Sequence, residues 1–145
     1  MSKRLDIVKN RKTALETILV ANGYNYDIGE ATRELKHFRD LDAYPSVVII
    51  NAGETREGID VGYNTVVANL VIRVRGIVKA SADIEEVLDN FLEDVEKAMC
   101  NDITCGGYAN YIAPSDIRIY EASADDIKIF DMDFIVSYQY IYGNP

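Results

Sequence analysis

A chain of 145 residues is long enough to bury a real core within one domain. Its hydrophobic share of 48% and charged share of 27% are those of ordinary globular proteins, and no apolar run approaches membrane-spanning length. A formal net charge of -9 without a basic run makes the chain a poor candidate for nucleic-acid binding, whose phosphate contacts need clustered Lys and Arg.

The run Met1 to Asp6 is basic with no apolar stretch behind it, so no secretory signal is expected there. Residues 4–22 predict a helix. Leu5, Val8, Leu15, Ile18, Leu19 and Asn22 recur at three-and-four spacing, thinly between Val8 and Leu15, and Gly23 is the expected stop. Lys3, Arg4, Lys9, Arg11 and Lys12 form the chain's positive patch, read as a solvated helix face or as a contact for an acidic neighbour. A short strand is predicted over 24–28, then a polar stretch over 30–42 that holds Arg33, Lys36, His37 and Arg39. A lone His with no Asp, Ser or Cys motif beside it reads as a surface residue.

Pro45 opens a strand over 46–51, whose apolar centre, Val47 to Ile50, suggests cover on both faces by the domain or by a partner subunit. Residues 52–62 read as a flexible connection carrying Glu54, Arg56, Glu57 and Asp60 among glycines. No G-K-S/T follows it and no helix starts there, so it is not a phosphate-cradling loop. Long connections of this kind are often functional or ordered only in an assembly.

The stretch 65–79 predicts the central strand. Val66, Ala68, Leu70, Ile72, Val74, Gly76 and Val78 alternate with a face that includes Thr65, Asn69, Arg73, Arg75 and Lys79. Such length implies that it crosses a whole sheet or curls at Gly76. An amphipathic helix follows, with Ser81 as expected N-cap and Asp83, Glu85 and Glu86 where the helix dipole favours negative charge. Ile84, Val87, Leu88, Phe91, Leu92, Val95, Ala98 and Met99 form its apolar stripe. Asp89, Glu93, Asp94 and Glu96 form an acidic outer face, read as solvated. Residues 101–113 read as a loop, 117–121 as a strand, and 127–142 as a second long strand with Phe130, Met132, Phe134, Val136, Tyr138 and Tyr140 on one face. If that strand pairs antiparallel with the central one, Asp131 and Asp133 share a face with Arg73 and Arg75. Tyr138, Tyr140 and Tyr142 read as core and edge packing, with a binding surface as the alternative.

Two cysteines, Cys100 and Cys105, leave a disulfide open but unforced. Zinc wants about four ligands, and the single His37 is remote in sequence, so neither a metal nor a cofactor is expected. The order helix, strands, helix, strands predicts one α+β domain over 1–145. It is a mostly antiparallel twisted sheet with two main helices packed on one face.

Several segments together carry a family likeness. They are Ala21-Asn22-Gly23-Tyr24, Asp42-Ala43-Tyr44-Pro45-Ser46-Val47-Val48-Ile49, Leu70 to Gly76, the acidic helix from Ile84 to Met99, and Phe134 to Tyr140. In this layout the chain resembles the tail terminator (tail completion) proteins of long-tailed bacteriophages and prophages. The resemblance covers nearly the whole chain, in layout and texture and without an invariant catalytic string. It implies a structural assembly protein, not an enzyme, that forms a hexameric ring on the last ring of tail-tube subunits. The ring stops tube growth and meets the head-completion or connector protein. It also implies a place in the virion tail after assembly in the host bacterial cytoplasm, no membrane, and passage of DNA through the ring without sequence-specific contact. On position alone, Glu54, Arg56, Glu57, Asp60, Arg33, Lys36, Arg39, Arg73 and Arg75 are the candidate subunit or tube contacts. Other readings are a different head–tail connector or neck protein, a tail-derived accessory of a secretion system or toxin, and a small α+β ligand-binding domain or enzyme. The last would need a pocket of converging polar groups, for which the sequence offers no set.

Overall fold

The computed structural model describes residues 2–34, 43–60, 65–121, 126–141 and 143–145. Strand β3 (Thr65–Lys79) is its spine. Val66, Ala68, Leu70, Ile72, Val74 and Val78 are buried on one face, while Val67, Asn69, Val71, Arg73 and Arg75 on the other are half-buried. With β1 (Glu30–Thr32), β2 (Ser46–Asp60), β4 (Tyr111–Glu121) and β5 (Ile127–Ile141), it makes a five-stranded sheet in the order β1-β2-β3-β5-β4. β3 pairs antiparallel along its whole length with β5, from Thr65 opposite Ile141 to Lys79 opposite Ile127. On its other side it pairs antiparallel with β2, from Asp60 opposite Thr65 to Ser46 opposite Ile77. β4 pairs antiparallel with β5, and only the short β1 is parallel to its neighbour.

Helices α1 (Lys3–Glu16) and α2 (Ile84–Cys100) both lie on the face that buries the even-numbered residues of β3 and β5. Phe91 of α2 meets Phe130 of β5 edge-on, with ring centroids 5.9 Å apart. Phe130 also explains Gly76. A Cβ at that position would sit 2.0 Å from the Phe130 Cζ, so the missing side chain makes room for the ring, and β3 runs through Gly76 with unbroken pairing to β5. The fold is therefore the α+β arrangement expected, with two helices on one face of a mostly antiparallel sheet.

Several element boundaries differ from expectation, each for a local reason. α1 stops at Glu16, with the Thr17 backbone N–H and hydroxyl both donating to the Ala14 carbonyl. A single 3-10 turn, Val20–Asn22, follows before Gly23 takes the left-handed conformation at φ 90°. The buried stripe of this helix is Ile7, Val8, Arg11, Ala14 and Leu15, so Arg11 belongs to the inside and not to the solvated basic face. Its guanidinium donates to the carbonyls of Met99 (2.7 Å) and Ala98 (3.4 Å). There it satisfies the last carbonyls of α2 and suits the negative end of that helix dipole.

Residues 24–28 form no strand. The backbone N–H groups of Asn25 and Tyr26 donate instead to the Asp94 carboxylate at 2.9–3.1 Å. Asp94 is thus buried and structural, not part of the solvated acidic face. The N-cap of α2 is Asp83, left-handed at φ 55° and without a side-chain capping bond, and not Ser81. The stretch 52–60, expected as a flexible connection, is strand. β2 continues to Asp60 through two register shifts, the first at Gly53, whose φ of 119° a side chain would resist. β4 likewise begins six residues before its predicted start and absorbs Pro114 at a bulge between Pro114 and Asp116. Cys100 and Cys105 are free thiols.

Candidate functional site

The strand register lines up charges on the face of the sheet turned away from the helices. Arg73 lies opposite Asp133 and Arg75 opposite Asp131. Each guanidinium grips its carboxylate with two bonds, Nε–H to one oxygen at 2.8 Å and an Nη–H to the other at 3.1 Å. Arg118 of β4 reaches diagonally to the same Asp133 at 3.1 Å. The carboxylates are buried and the arginines half-exposed. For Asp131, burial pushes the pKa up, but the hydrogen bonds and charge of Arg75 outweigh it and hold the acid below the usual carboxylate range. Arg73 and Arg75 are pushed the other way, chiefly by the hydrogen bonds to their acids, and stay charged. The result is a fixed ladder of ion pairs across three strands. A carboxylate held ionised in this way is a poor proton donor near neutral pH. What the ladder offers is a stiff surface of known charge pattern.

A second cluster sits on the helix side, at the far end of the β2–β3 pair. Glu54 accepts from Arg56 at 2.8 Å and from the Tyr138 hydroxyl, and Arg4 of α1 lies 3.6 Å from it. The Arg56 guanidinium stands 5.3 Å from the centre of the Tyr140 ring. Burial first, then the bond to Glu54, pushes the Tyr138 phenol up, so it donates at any physiological pH. This cluster ties the start of α1 to the margin of the sheet.

The structure thus divides the candidate residues. Glu54 and Arg56 come together on the helix side. Arg73 and Arg75 form the open-face ladder. Glu57 is on the open face too, accepting from the Asn69 amide at 3.2 Å. Asp60 ends the β2 ladder opposite Thr65. Arg33 is exposed just past β1. Lys36 and Arg39, with His37, lie outside the described residues, as does Tyr142. Tyr138 and Tyr140 are buried, as core packing requires. Sequence reasoning placed Asp131 and Asp133 but missed Arg4 and Arg118. Arg4 is fifty residues from Glu54, and Arg118 shares its acid by a diagonal contact that alternation alone cannot reveal.

Elsewhere, a shallow depression open to solvent lies between α2 and β4, lined by Glu93, Glu96, Lys97, Cys100, Asn101 and Pro114. Among the described residues no group of three or more His, Cys, Asp or Glu side chains is placed to hold a metal ion. No helix is long and apolar enough to cross a membrane. No known protein family matches the chain, and no characterised protein matches it in sequence.

Proposed function

We propose that the protein is a phage tail terminator. In this reading it is an assembly protein that caps the tail tube as a ring of six copies, stops tube polymerisation and forms the tail side of the head–tail joint. The observation that carries this reading is the open sheet face. It is broad, held rigid by the Arg73–Asp133–Arg118 and Arg75–Asp131 pairs, and flanked by the half-buried apolar side chains of Val67, Val71 and Ile135. A mixed face of this kind, left uncovered by the described helices, suits contact with another protein better than contact with water alone. The family likeness in layout supports the same choice. The partners are other copies of the chain, the tail tube protein and a head-completion or connector protein, and the protein acts in the virion tail after assembly in the bacterial cytoplasm.

The test is to add the purified protein to polymerising tube protein and image the products. Tubes should stop growing and carry six copies at one end. A protein that leaves tube length unchanged and never appears at a tube end would defeat the reading. A protein that instead binds the portal side of the head while ignoring tubes would assign it to another neck or connector class.

A further inference from the structure

The outer edge of β4 carries no partner strand among the described residues. Soluble proteins usually blunt such an edge with charge or cover it. Here Pro114 and its bulge interrupt the first half of β4, while the second half pairs regularly with β5 and exposes apolar side chains. Of nine large hydrophobic side chains exposed among the described residues, four are on this strand: Tyr111, Ile117, Ile119 and Tyr120. The register against β5 sorts them. Ile117 and Ile119 lie opposite Met132 and Phe130 on the helix side but beyond the cover of α2, while Asp116, Arg118 and Tyr120 share the open face.

We infer that β4 is a self-docking edge whose occupant is the β4 of a second copy, paired antiparallel about a two-fold axis at Ile117. This goes beyond the terminator reading and does not depend on it. The charge pattern selects both the occupant and the register. With Ile117 opposite Ile117 of the second copy, Asp116 of each chain faces Arg118 of the other, which makes two reciprocal ion pairs. On the helix side the two Ile117 side chains meet, and each Ile119 falls diagonally beside the opposite Ile117, within reach across an antiparallel pair. A register centred on Arg118 would instead stack two arginines. Within one chain Asp116 and Arg118 touch only loosely, at 3.9 Å, and stay 60% and 44% exposed, so both can exchange that contact for the reciprocal pairs. A two-fold contact of this kind closes at two copies and cannot repeat around a ring. It therefore describes the free protein, distinct from any six-fold assembly on a tube.

The test is the mass of the free protein by size-exclusion chromatography with light scattering, over a dilution series. The wild type should run as two chains at high concentration and dissociate on dilution. Asp116→Arg should be monomeric, because it sets two arginines against two, and within the chain it removes only the loose 3.9 Å contact to Arg118. Adding Arg118→Asp to that variant should restore the dimer. Position 116 lies opposite Asp133 in the register, so the swapped arginine can still serve that acid. Ile117→Lys, at an exposed position, provides a second monomeric variant, and a circular dichroism melt confirms that each is folded. A wild type that stays monomeric at every concentration overturns the inference. So does a folded Asp116→Arg protein that remains dimeric, or a free hexamer indifferent to that substitution. Tube capping by the wild type is scored separately, so failure of the dimer leaves the terminator reading standing and failure of capping leaves the dimer standing.

Discussion

Single side chains decide more of this fold than their number suggests. Gly76 is one, because the ring of Phe130 occupies the space a Cβ would need. Gly76→Ala should destabilise by about 1–3 kcal/mol through overpacking. Combining it with Phe130→Leu should cost less than the sum of the two single changes, by about 0.5–3 kcal/mol in a double-mutant cycle. Additive effects in urea denaturation would mean that the ring is not the obstacle. Asp131 is another. Its native pKa lies below the usual value, so its contribution is present above roughly pH 4, the unfolded-state range, and is lost as pH falls through the native value. The wild type should therefore lose denaturant resistance between neutral pH and pH 3. Asp131→Asn should start weaker at neutral pH and lose less on acidification. An equal acid loss in both proteins would show that the Arg75–Asp131 pair is not the source.

Secondary elements show where sequence reasoning succeeds and where it stops. β3 was legible to the residue because a strand buried on one face writes its alternation directly into the chain. α2 was legible for the same reason at helical period, and its stripe leads to a firm expectation. Phe91 is fully buried against Phe130, so Phe91→Ala should cost about 3–5 kcal/mol in chemical denaturation. A loss under about 1 kcal/mol would mean that the site collapses around the cavity far better than usual. The misreadings share a cause. Arg11 and Asp94 look like surface charges, yet each is buried, doing the work of a missing cap or ladder for backbone groups far away in the chain. No local period announces such a partner. The extension of β2 through Gly53 and of β4 through Pro114 was hidden differently, since both residues normally end strands and here sit at bulges. Of the candidate site, the Arg–Asp register followed from two well-read strands. The Arg4–Glu54–Tyr138 cluster did not, because it joins three elements whose relative placement only the fold supplies.

The whole molecule separates its charges. On the open sheet face Arg73, Arg75 and Arg118 are balanced by Asp131, Asp133 and Asp116. A line of acid lies on the other side, along α2, where Glu86, Asp89, Glu93 and Glu96 are all exposed on one side of the helix. That stripe carries four of the acids behind the net charge of -9 and repels a polyanion that approaches α2. Wild-type protein should accordingly show no retention of duplex DNA at low salt. Reversing all four acids to Lys builds a basic stripe at helical spacing, and the variant should retain DNA at low ionic strength and release it as salt rises, the mark of phosphate contacts. Since all four positions are exposed, each change should move stability by no more than about 0.5 kcal/mol. The measurement is a gel-shift series across salt concentrations beside a thermal melt. A folded variant that still ignores DNA would show that these acids are not what repels it, and the reading of α2 as the protein's non-stick face would fail with them.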